Sequence, residues 1–245
     1  MTVLLYLFLA AAGGVIGSFA GNLGLRLATD RGWAAGRSSC DHCRRPLAYA
    51  ETVPVVAYFQ AHGHCSACGG AIDRAQPAGE IVGLVLLPGA VALAGPVMGP
   101  LIFVMGMALL AASVTDVKTE RLPDGLVAIV ALLAAALAAL AGTRALLTGL
   151  AAAIACSIVL QALRWVRRHR TGEPGLGLGD VKLAAAMALW LGLATPWAMA
   201  GAAAIGFLWV LIAKPAIGRI AFGPFIATAG VSAGLVLEST KWLAA

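Results

Sequence analysis

Charged residues are scarce in this chain. Only 11% of its 245 residues are Asp, Glu, Lys or Arg, 7% are aromatic and 61% are apolar. Soluble domains carry about 25% charged and about 45–50% apolar residues, because a surface in contact with water has to be covered largely by polar groups. The composition therefore excludes a cytosolic enzyme, a disordered chain and a secreted disulfide scaffold. It is typical of a polytopic membrane protein.

Basic residues are absent from the first 25 positions, and the first is Arg26. A cleaved signal peptide begins with a positively charged segment. The uncharged run over 3–25 is also long enough to cross a bilayer, which takes about 17–25 apolar residues. We therefore expect this run to be a membrane span and not a signal peptide.

Long apolar runs continue along the chain, and Gly and Pro interrupt two of them. Because these residues end helices and reverse the chain, we expect breaks at 95–100 and at Thr195-Pro196. The sequence thus predicts an all-α membrane protein with about eight transmembrane helices. The runs are 3–25, 81–115 (two spans), 125–143, 145–163, 183–213 (two spans) and 220–237.

The net charge of +6 comes from the loops between these runs. In the eight-span arrangement, 15 of the 17 basic residues fall in four loops on one side, namely 26–80, 116–124, 164–182 and 214–219. Only Arg144 and Lys241 fall on the other side. Since Lys and Arg accumulate in cytoplasmic loops, we expect these four loops to be cytoplasmic and both termini to lie outside. The positive net charge is then explained without a nucleic-acid partner.

The loop over 26–80 contains two Cys-x-x-Cys pairs separated by 21 residues: Cys40 with Cys43, and Cys65 with Cys68. Such pairs commonly form a tetrahedral zinc site, and four thiolates leave no open position, so the zinc would be structural. Two disulfides are the competing interpretation, which a reducing cytoplasmic location disfavours. Four unrelated thiols are the remaining one. The nearby histidines are expected to be solvated, and Cys156, inside a span, to be a packing residue.

Three aspartates lie at the cytoplasmic ends of predicted spans: Asp116, Asp124 and Asp180. A carboxylate near hydrocarbon is costly and is therefore a functional candidate. Helix capping is the alternative explanation; it suits Asp124 well and Asp180 in part. It does not suit Asp116, at a helix C-terminus where the helix dipole disfavours negative charge. Two carboxylates that meet across helices can share one proton and activate water.

The other acidic residues have simpler explanations. Glu80 heads the second predicted span, where a carboxylate suits the dipole of a helix start. We expect the acidic residues of the cysteine loop, Glu51 among them, to be solvated. We expect the same of Glu238, near the outer end of the last span.

The ordered set of motifs resembles the GxGD aspartic peptidases, and within them the type IV prepilin peptidases (leader peptidase/N-methyltransferase). The central element is Gly177-x-Gly179-Asp180 followed by Val181-Lys182-Leu183, with Asp116 ahead of Leu122-Pro123-Asp124. The paired Cys-x-x-Cys motifs resemble those of the bifunctional members. Further matches are Gly17-Ser18-Phe19 with Asn22 and Arg26, Pro77-x-x-Glu80, and Phe222-Gly223-Pro224-Phe225.

The resemblance implies an enzyme of the bacterial inner membrane with Asp116 and Asp180 as its catalytic pair. It would cut the short basic leader from prepilins or pseudopilins on the cytoplasmic side, after a Gly. It would also N-methylate the new terminus, with S-adenosylmethionine as methyl donor. No dinucleotide-type glycine motif locates the donor, so Glu80 and the zinc loop are the nearest candidates. The implied parts are a first helix over 1–25, a zinc and methyltransferase loop over 26–80, and a peptidase bundle over 81–245.

Three other readings stay open at this point. A peptidase without methyl transfer would use the cysteine loop for substrate docking. A proton- or cation-coupled transporter would use the aspartates as relay groups, but it predicts mid-span acids and inverted repeats. A zinc-stapled membrane scaffold would leave the glycines before Asp180 unexplained.

Overall fold

The computed structural model describes residues 2–30, 38–173, 175–213 and 220–243. Arg31, Arg37, Lys214 and Arg219, which enter the charge argument above, lie outside the described residues. The regular secondary structure of the described residues is helical apart from two isolated β-bridges, and no β-strand occurs among them. The all-α prediction is therefore confirmed. The helices are α1 (Thr2–Ala28), α2 (Val56–Gln60), α3 (Ala75–Thr119), α4 (Asp124–Leu140), α5 (Thr143–Thr171), α6 (Leu178–Leu191), α7 (Thr195–Ala213) and α8 (Gly223–Leu243), with short 3₁₀ turns at Tyr49–Thr52 and Gly192–Ala194.

Four stretches of helix are long and apolar enough to cross a membrane: Thr2–Ala28, Ala75–Thr119, Thr143–Thr171 and Leu178–Ala213. Helix α4 is apolar but shorter, at 17 residues. These lengths and compositions indicate a membrane protein. Two of the four stretches contain an internal break, and the count of eight spans stays a prediction.

Helix α3 folds back on itself at Gly95, whose φ of 78° and ψ of 177° are not helical. Residues that have a side chain rarely adopt this backbone conformation, whereas glycine adopts it readily. The two arms run antiparallel, since a Cβ on Gly99 would touch Val91 and one on Gly79 would touch Leu110. The predicted break at 95–100 is thus confirmed. It brings residues near 80 and near 116 to the same end of the molecule.

The second predicted break lies slightly earlier than expected. Helix α6 ends at Leu191, a 3₁₀ turn follows, and α7 begins at Thr195. Pro196 therefore occupies the first turn of α7, where its missing N–H group and fixed φ are tolerated. The chain changes direction at Gly192 and not at Thr195-Pro196.

Helix α1 packs against the first arm of α3 through glycines. A Cβ added to Gly13 would lie 2.1 Å from the carbonyl oxygen of Gly83, and one added to Gly17 would lie 2.2 Å from that of Gly79. The two backbones are therefore in direct contact, as small residues permit between membrane helices. This contact fixes α1 beside the segment that leads out of the cysteine loop.

The main core lies between α3, α4, α6 and α8. Its fully buried members include Met105, Val130, Met187 and Ile226. The core also contains Glu238, which is 4% exposed and accepts a hydrogen bond from the Trp190 indole at 3.3 Å. The expectation that Glu238 is solvated was wrong, because the face of α8 that carries it packs onto α6.

Candidate active site and metal centre

Asp116 lies in the last turns of α3 and is 5% exposed. The backbone N–H of Gly223, the first residue of α8, donates a hydrogen bond to its Oδ2 at 3.0 Å. A hydrogen-bond donor from another helix thus compensates part of the cost of burying this carboxyl group. Asp116 does not cap its own helix, in line with its position at a helix C-terminus; it bonds the first N–H group of α8 instead.

Asp180 lies in the first turn of α6 and is 9% exposed. Its Oδ2 accepts a hydrogen bond at 3.1 Å from the N–H of Gly177, the residue that precedes the helix. The Gly-x-Gly-Asp sequence therefore folds as a helix start in which the aspartate turns back onto the chain. Asp180 is in part a capping residue, as one of the two explanations above supposed.

The tertiary structure brings Asp116 and Asp180 to the same end of the bundle, within electrostatic range of each other. Leu122 lies between the chain just before Asp180 and the start of α8, which bonds Asp116, because Cβ atoms added to Gly179 and to Gly223 would come within 3.0 and 3.1 Å of its side chain. Two carboxyl groups that come close enough together can share a proton.

Asp124 is placed differently. It is the first residue of α4, its side chain is 76% exposed, and it pairs with Lys182 at 2.7 Å. Pro123 occupies the N-cap position, where no side chain caps the helix, so the capping explanation, which suited Asp124 in the sequence, does not hold. The ion pair instead ties α4 to the first turn of α6.

Arg164, near the C-terminal end of α5, is one of the basic residues of the segment 164–182. Its charge acts on Asp180, and its Nη1 is buried without a hydrogen-bond partner within the described ranges. A guanidinium beside the aspartate pair favours a net negative charge there. No local pattern in the sequence links α5 to the start of α6, and only the packing of the two helices reveals this neighbour.

The four cysteines Cys40, Cys43, Cys65 and Cys68 converge, with all four Sγ atoms within 4.8 Å of one another. Cys40 and Cys68 have their Sγ atoms 3.8 Å apart. Tetrahedral zinc with Zn–S bonds of about 2.3 Å requires sulfur–sulfur distances of about 3.8 Å, so this cluster fits a metal ion. The predicted grouping of the four cysteines is confirmed.

The two cysteine pairs sit in equivalent turns. The Arg44 N–H bonds to the Cys40 carbonyl at 3.0 Å, and the Gly69 N–H bonds to the Cys65 carbonyl at 2.9 Å. Backbone N–H groups of the second turn point at Cys65 and lower the pKa of its thiol, which favours the thiolate that a metal needs. The spacing of the cysteines is enough to predict each of these turns, since both cysteines of a pair lie in the same turn.

The histidines near the cluster are exposed and outside it. His42 contacts the carbonyl oxygen of Ala71 through Nε2 at 3.1 Å. Glu51, expected to be solvated, binds Arg45 at 2.6 Å and Ser66 at 2.7 Å. These hydrogen bonds, from Arg45 first, lower the pKa of Glu51 to about 2. Glu51 therefore links the two cysteine turns to each other.

Glu80 does not head a helix, because α3 begins at Ala75. Its Oε1 accepts a hydrogen bond from the hydroxyl of Ser18 at 2.7 Å, and its Oε2 accepts one from the N–H of Val55 at 2.6 Å. The expected dipole role was therefore wrong. Glu80 instead joins α1, α3 and the cysteine loop at one point.

This protein is a helical membrane protein by the length and composition of its helices. It carries two buried aspartates and a four-cysteine loop at the same end of its bundle. Two family profiles match the chain. The Bacterial Peptidase A24 N-terminal domain covers residues 11–93, and the Type IV leader peptidase family covers residues 103–214. The two matched regions meet at the turn of α3.

Curated relatives point the same way, and each carries the name Prepilin leader peptidase/N-methyltransferase. The protein of Burkholderia pseudomallei is 38% identical over 207 residues, 80% of this chain and 66% of the relative. That of Pectobacterium carotovorum is 32% identical over 213 residues (79% and 72%), and that of Aeromonas hydrophila is 30% identical over 218 residues (84% and 74%). No solved structure matches. The chain belongs to the type IV leader peptidase family, which confirms the resemblance, and it spans about two thirds of the length of the Burkholderia relative.

Proposed function

We propose that this chain is a bifunctional membrane enzyme that removes the leader of type IV prepilins or pseudopilins and N-methylates the new N-terminus. The observation that carries the cleavage step is the pair of buried carboxyl groups of Asp116 and Asp180 at one end of the bundle. The relatives named prepilin leader peptidase/N-methyltransferase support both activities.

The proposed chemistry is that of an aspartate dyad. The ionised aspartate takes a proton from water, and the resulting hydroxide attacks the carbonyl carbon of the scissile bond while the protonated aspartate donates a proton to the carbonyl oxygen. When the carbon–nitrogen bond breaks, the aspartate that took the proton from water passes it to the leaving amine, and the other aspartate takes a proton back from a hydroxyl group of the tetrahedral intermediate. Because the pair titrates as a unit, neither aspartate is assigned a fixed acid or base role.

The proposed topology is an eight-span protein of the bacterial inner membrane with both termini outside. The cysteine loop and the aspartates would then face the cytoplasm, where the basic residues concentrate. Cleavage would follow a Gly, with the apolar segment of the substrate in the lipid beside the bundle. Aspartates at span ends suit a bond exposed to the cytoplasm better than the transporter reading, which calls for acids at mid-span.

The proposed division of labour assigns residues 26–80, stapled by structural zinc on Cys40, Cys43, Cys65 and Cys68, to methyl transfer, and residues 81–245 to proteolysis. The cysteine cluster fits zinc in ligand type and spacing. S-adenosylmethionine would supply the methyl group, and Glu80, which lies at the junction of the loop and the bundle, is a candidate residue of the donor site.

Co-expression with a candidate prepilin, followed by mass spectrometry of the pilin N-terminus, tests this function. We expect loss of the leader and a gain of one methyl group on the new terminal amine. A cleaved but unmethylated pilin would support a peptidase without methyl transfer. An intact leader with each of several prepilins, from a correctly inserted protein, would contradict the proposal.

Gly223→Ala tests the geometry around Asp116. An added Cβ would lie 2.7 Å from Oδ2 of Asp116, so the carboxyl group has to move. Because a misplacement of about 1 Å at a reacting group can cost about 10²-fold in rate, we expect cleavage to fall by about that factor. The measurement is the rate of leader removal by the purified variant.

Gly201→Ala is the matched control, since its added Cβ would meet only the Cβ of Ala229 at 3.7 Å. It should cleave within about twofold of wild type, as expected for a change without steric conflict. Wild-type cleavage by Gly223→Ala would show that cleavage does not depend on the position that the Asp116 carboxyl group has in this structure.

A further inference from the structure

A polar cleft of about 790 Å³ opens where the cysteine loop meets α1 and α3. Its walls come from the second half of α1, from the loop around residues 38–52, and from both ends of α3. The residues that matter below are Asn22, Arg26, Asp73, Gln76, Glu80 and Lys118. All but Lys118 lie within the region matched by the N-terminal family domain.

We propose that this cleft is the binding site of the methyl donor, S-adenosylmethionine. The inference rests on the proposed methyl transfer and adds the location of the donor. It assigns a place to a ligand that no glycine-rich sequence motif locates.

The size of the cleft suits such a ligand. Small-molecule sites commonly measure about 300–1,000 Å³. Two neighbouring clefts at the same end of the bundle are smaller: one of about 420 Å³ beside Asp73 and one of about 560 Å³ along the end of α5. The latter is lined by Arg164, Arg167 and Arg170, which would repel the positively charged sulfonium of the donor.

The chemistry of the lining also suits it. The donor carries a carboxylate, an ammonium group, a sulfonium and an adenosine, so its site needs groups of both charges and neutral hydrogen-bonding groups. Lys118 and Arg26 are cations, whereas Glu80 and Asp73 are carboxylates. Lys118 already contacts Asp73 at 2.6 Å, and its ammonium group has two further N–H bonds to offer to a carboxylate.

Two amides complete the polar wall. Gln76 donates from Nε2 to Oδ1 of Asn22 at 3.2 Å. This bond fixes the orientation of both side chains, and it leaves the Asn22 NH₂ group and the Gln76 carbonyl oxygen able to donate and accept. A fixed donor beside a fixed acceptor matches the edge of an adenine ring, which presents an amino donor beside a ring-nitrogen acceptor.

The cleft and the aspartate pair lie at the same end of the molecule. Lys118 follows Asp116 by two residues on α3, a rise of about 3 Å along the helix axis, but side chains two residues apart lie on different faces of a helix. The amine released at the aspartate pair would therefore pass from one side of α3 to the other to reach the cleft. In the transfer, the nitrogen lone pair forms the bond to the methyl carbon, the carbon–sulfur bond breaks, its electrons stay on the sulfur as a neutral thioether, and the amine proton passes to water.

Donor binding to the full-length protein in detergent tests the proposal, with S-adenosylmethionine and S-adenosylhomocysteine as titrants in calorimetry. Asn22→Leu and Lys118→Met should each weaken binding by about tenfold, because each removes a hydrogen bond to a polar or charged ligand group. Lys182→Met is the matched control. Lys182 also lies two residues after an aspartate of the pair and is also ion-paired, but it borders the cleft between α4 and α6.

The control should bind the donor within about twofold of wild type. Wild-type affinity in both Asn22→Leu and Lys118→Met would overturn the assignment, and so would equal losses in Lys118→Met and Lys182→Met. A wild-type protein that binds neither titrant, yet removes leaders, would instead contradict the methyl-transfer half of the proposed function and the donor site with it.

Photo-crosslinking with an azido-adenosyl analogue locates the donor independently of any variant. The labelled peptide should come from the second half of α1 or from residues 73–80. Labelling confined to α5 or to the segment before Asp180 would place the donor elsewhere and refute the proposal. The zinc content of each variant reports whether the loop has kept its fold.

Discussion

Asp116→Asn and Asp180→Asn should each abolish leader cleavage. Asparagine has nearly the shape of aspartate and can still accept the hydrogen bond from Gly223 or from Gly177, so the bundle should fold. It cannot take a proton from water, and general acid–base groups contribute about 10²–10⁴-fold to rate. We expect a loss of at least about 10³-fold for each variant, measured by the mass of the pilin N-terminus.

Asp124→Asn is the matched control for both variants. The same chemical change at an exposed ion pair with Lys182 should cost little, because surface pairs contribute about 0–1 kcal/mol. Cleavage should therefore stay within about fivefold of wild type. Full activity in either dyad variant would remove that residue from the catalytic pair, and complete loss in Asp124→Asn would make it a competing member.

Removal of the metal should affect methylation more than cleavage. The purified protein should contain about one zinc ion per chain, and Cys40→Ser or Cys65→Ser should lose it. A loop of about 55 residues buries little core of its own, so it depends on the metal to fold. The aspartates belong to α3 and α6 and not to this loop, so they should remain in place.

Cleavage should nevertheless fall in part, because Asp73 of the loop pairs with Lys118 at the same end of α3 as Asp116, and a disordered loop positions the substrate poorly. We expect methylation to become undetectable while cleavage falls by at most about 10²-fold. Methylation is measured on pre-cleaved pilin and cleavage on intact prepilin, so that each activity is scored alone.

Cys156→Ser is the control for this series. Cys156 lies on α5, outside the cluster, and packs beside the main core, so the variant should keep its zinc and both activities. A zinc-free Cys40→Ser protein that methylates normally would disprove the division of labour. Complete loss of cleavage with methylation retained would disprove it as well.

Local features of the sequence predicted several parts of this structure. Composition and the lengths of the apolar runs predict membrane helices. Gly95, followed by Pro96, predicts the turn of α3, and the two Cys-x-x-Cys pairs predict the cluster because each pair closes its own tight turn. In each of these features the decisive residues are near neighbours in the chain, so spacing constrains them; the meeting of the two cysteine pairs, about 25 residues apart, follows from their shared preference for one metal ion.

Long-range packing produced the features that were missed. The Glu80 contacts with Ser18 and Val55, the burial of Glu238 against Trp190, and the action of Arg164 on Asp180 all join residues from separate segments. The position of a residue relative to an apolar run indicates the end of the span at which the residue lies. It does not indicate which helices are neighbours.

The sequence by itself therefore determined that this is a helical membrane protein with a four-cysteine loop and acidic residues at span ends. Only the tertiary structure decided that Asp116 and Asp180 are both buried at the same end of the bundle, whereas Asp124 turns outward to Lys182. The physical reason is that lipid solvates the apolar faces of all the helices equally well, so hydrophobicity does not select neighbours. Contacts between small residues, such as Gly13 with Gly83, and hydrogen bonds between helices, such as that from Gly223 to Asp116, make the selection.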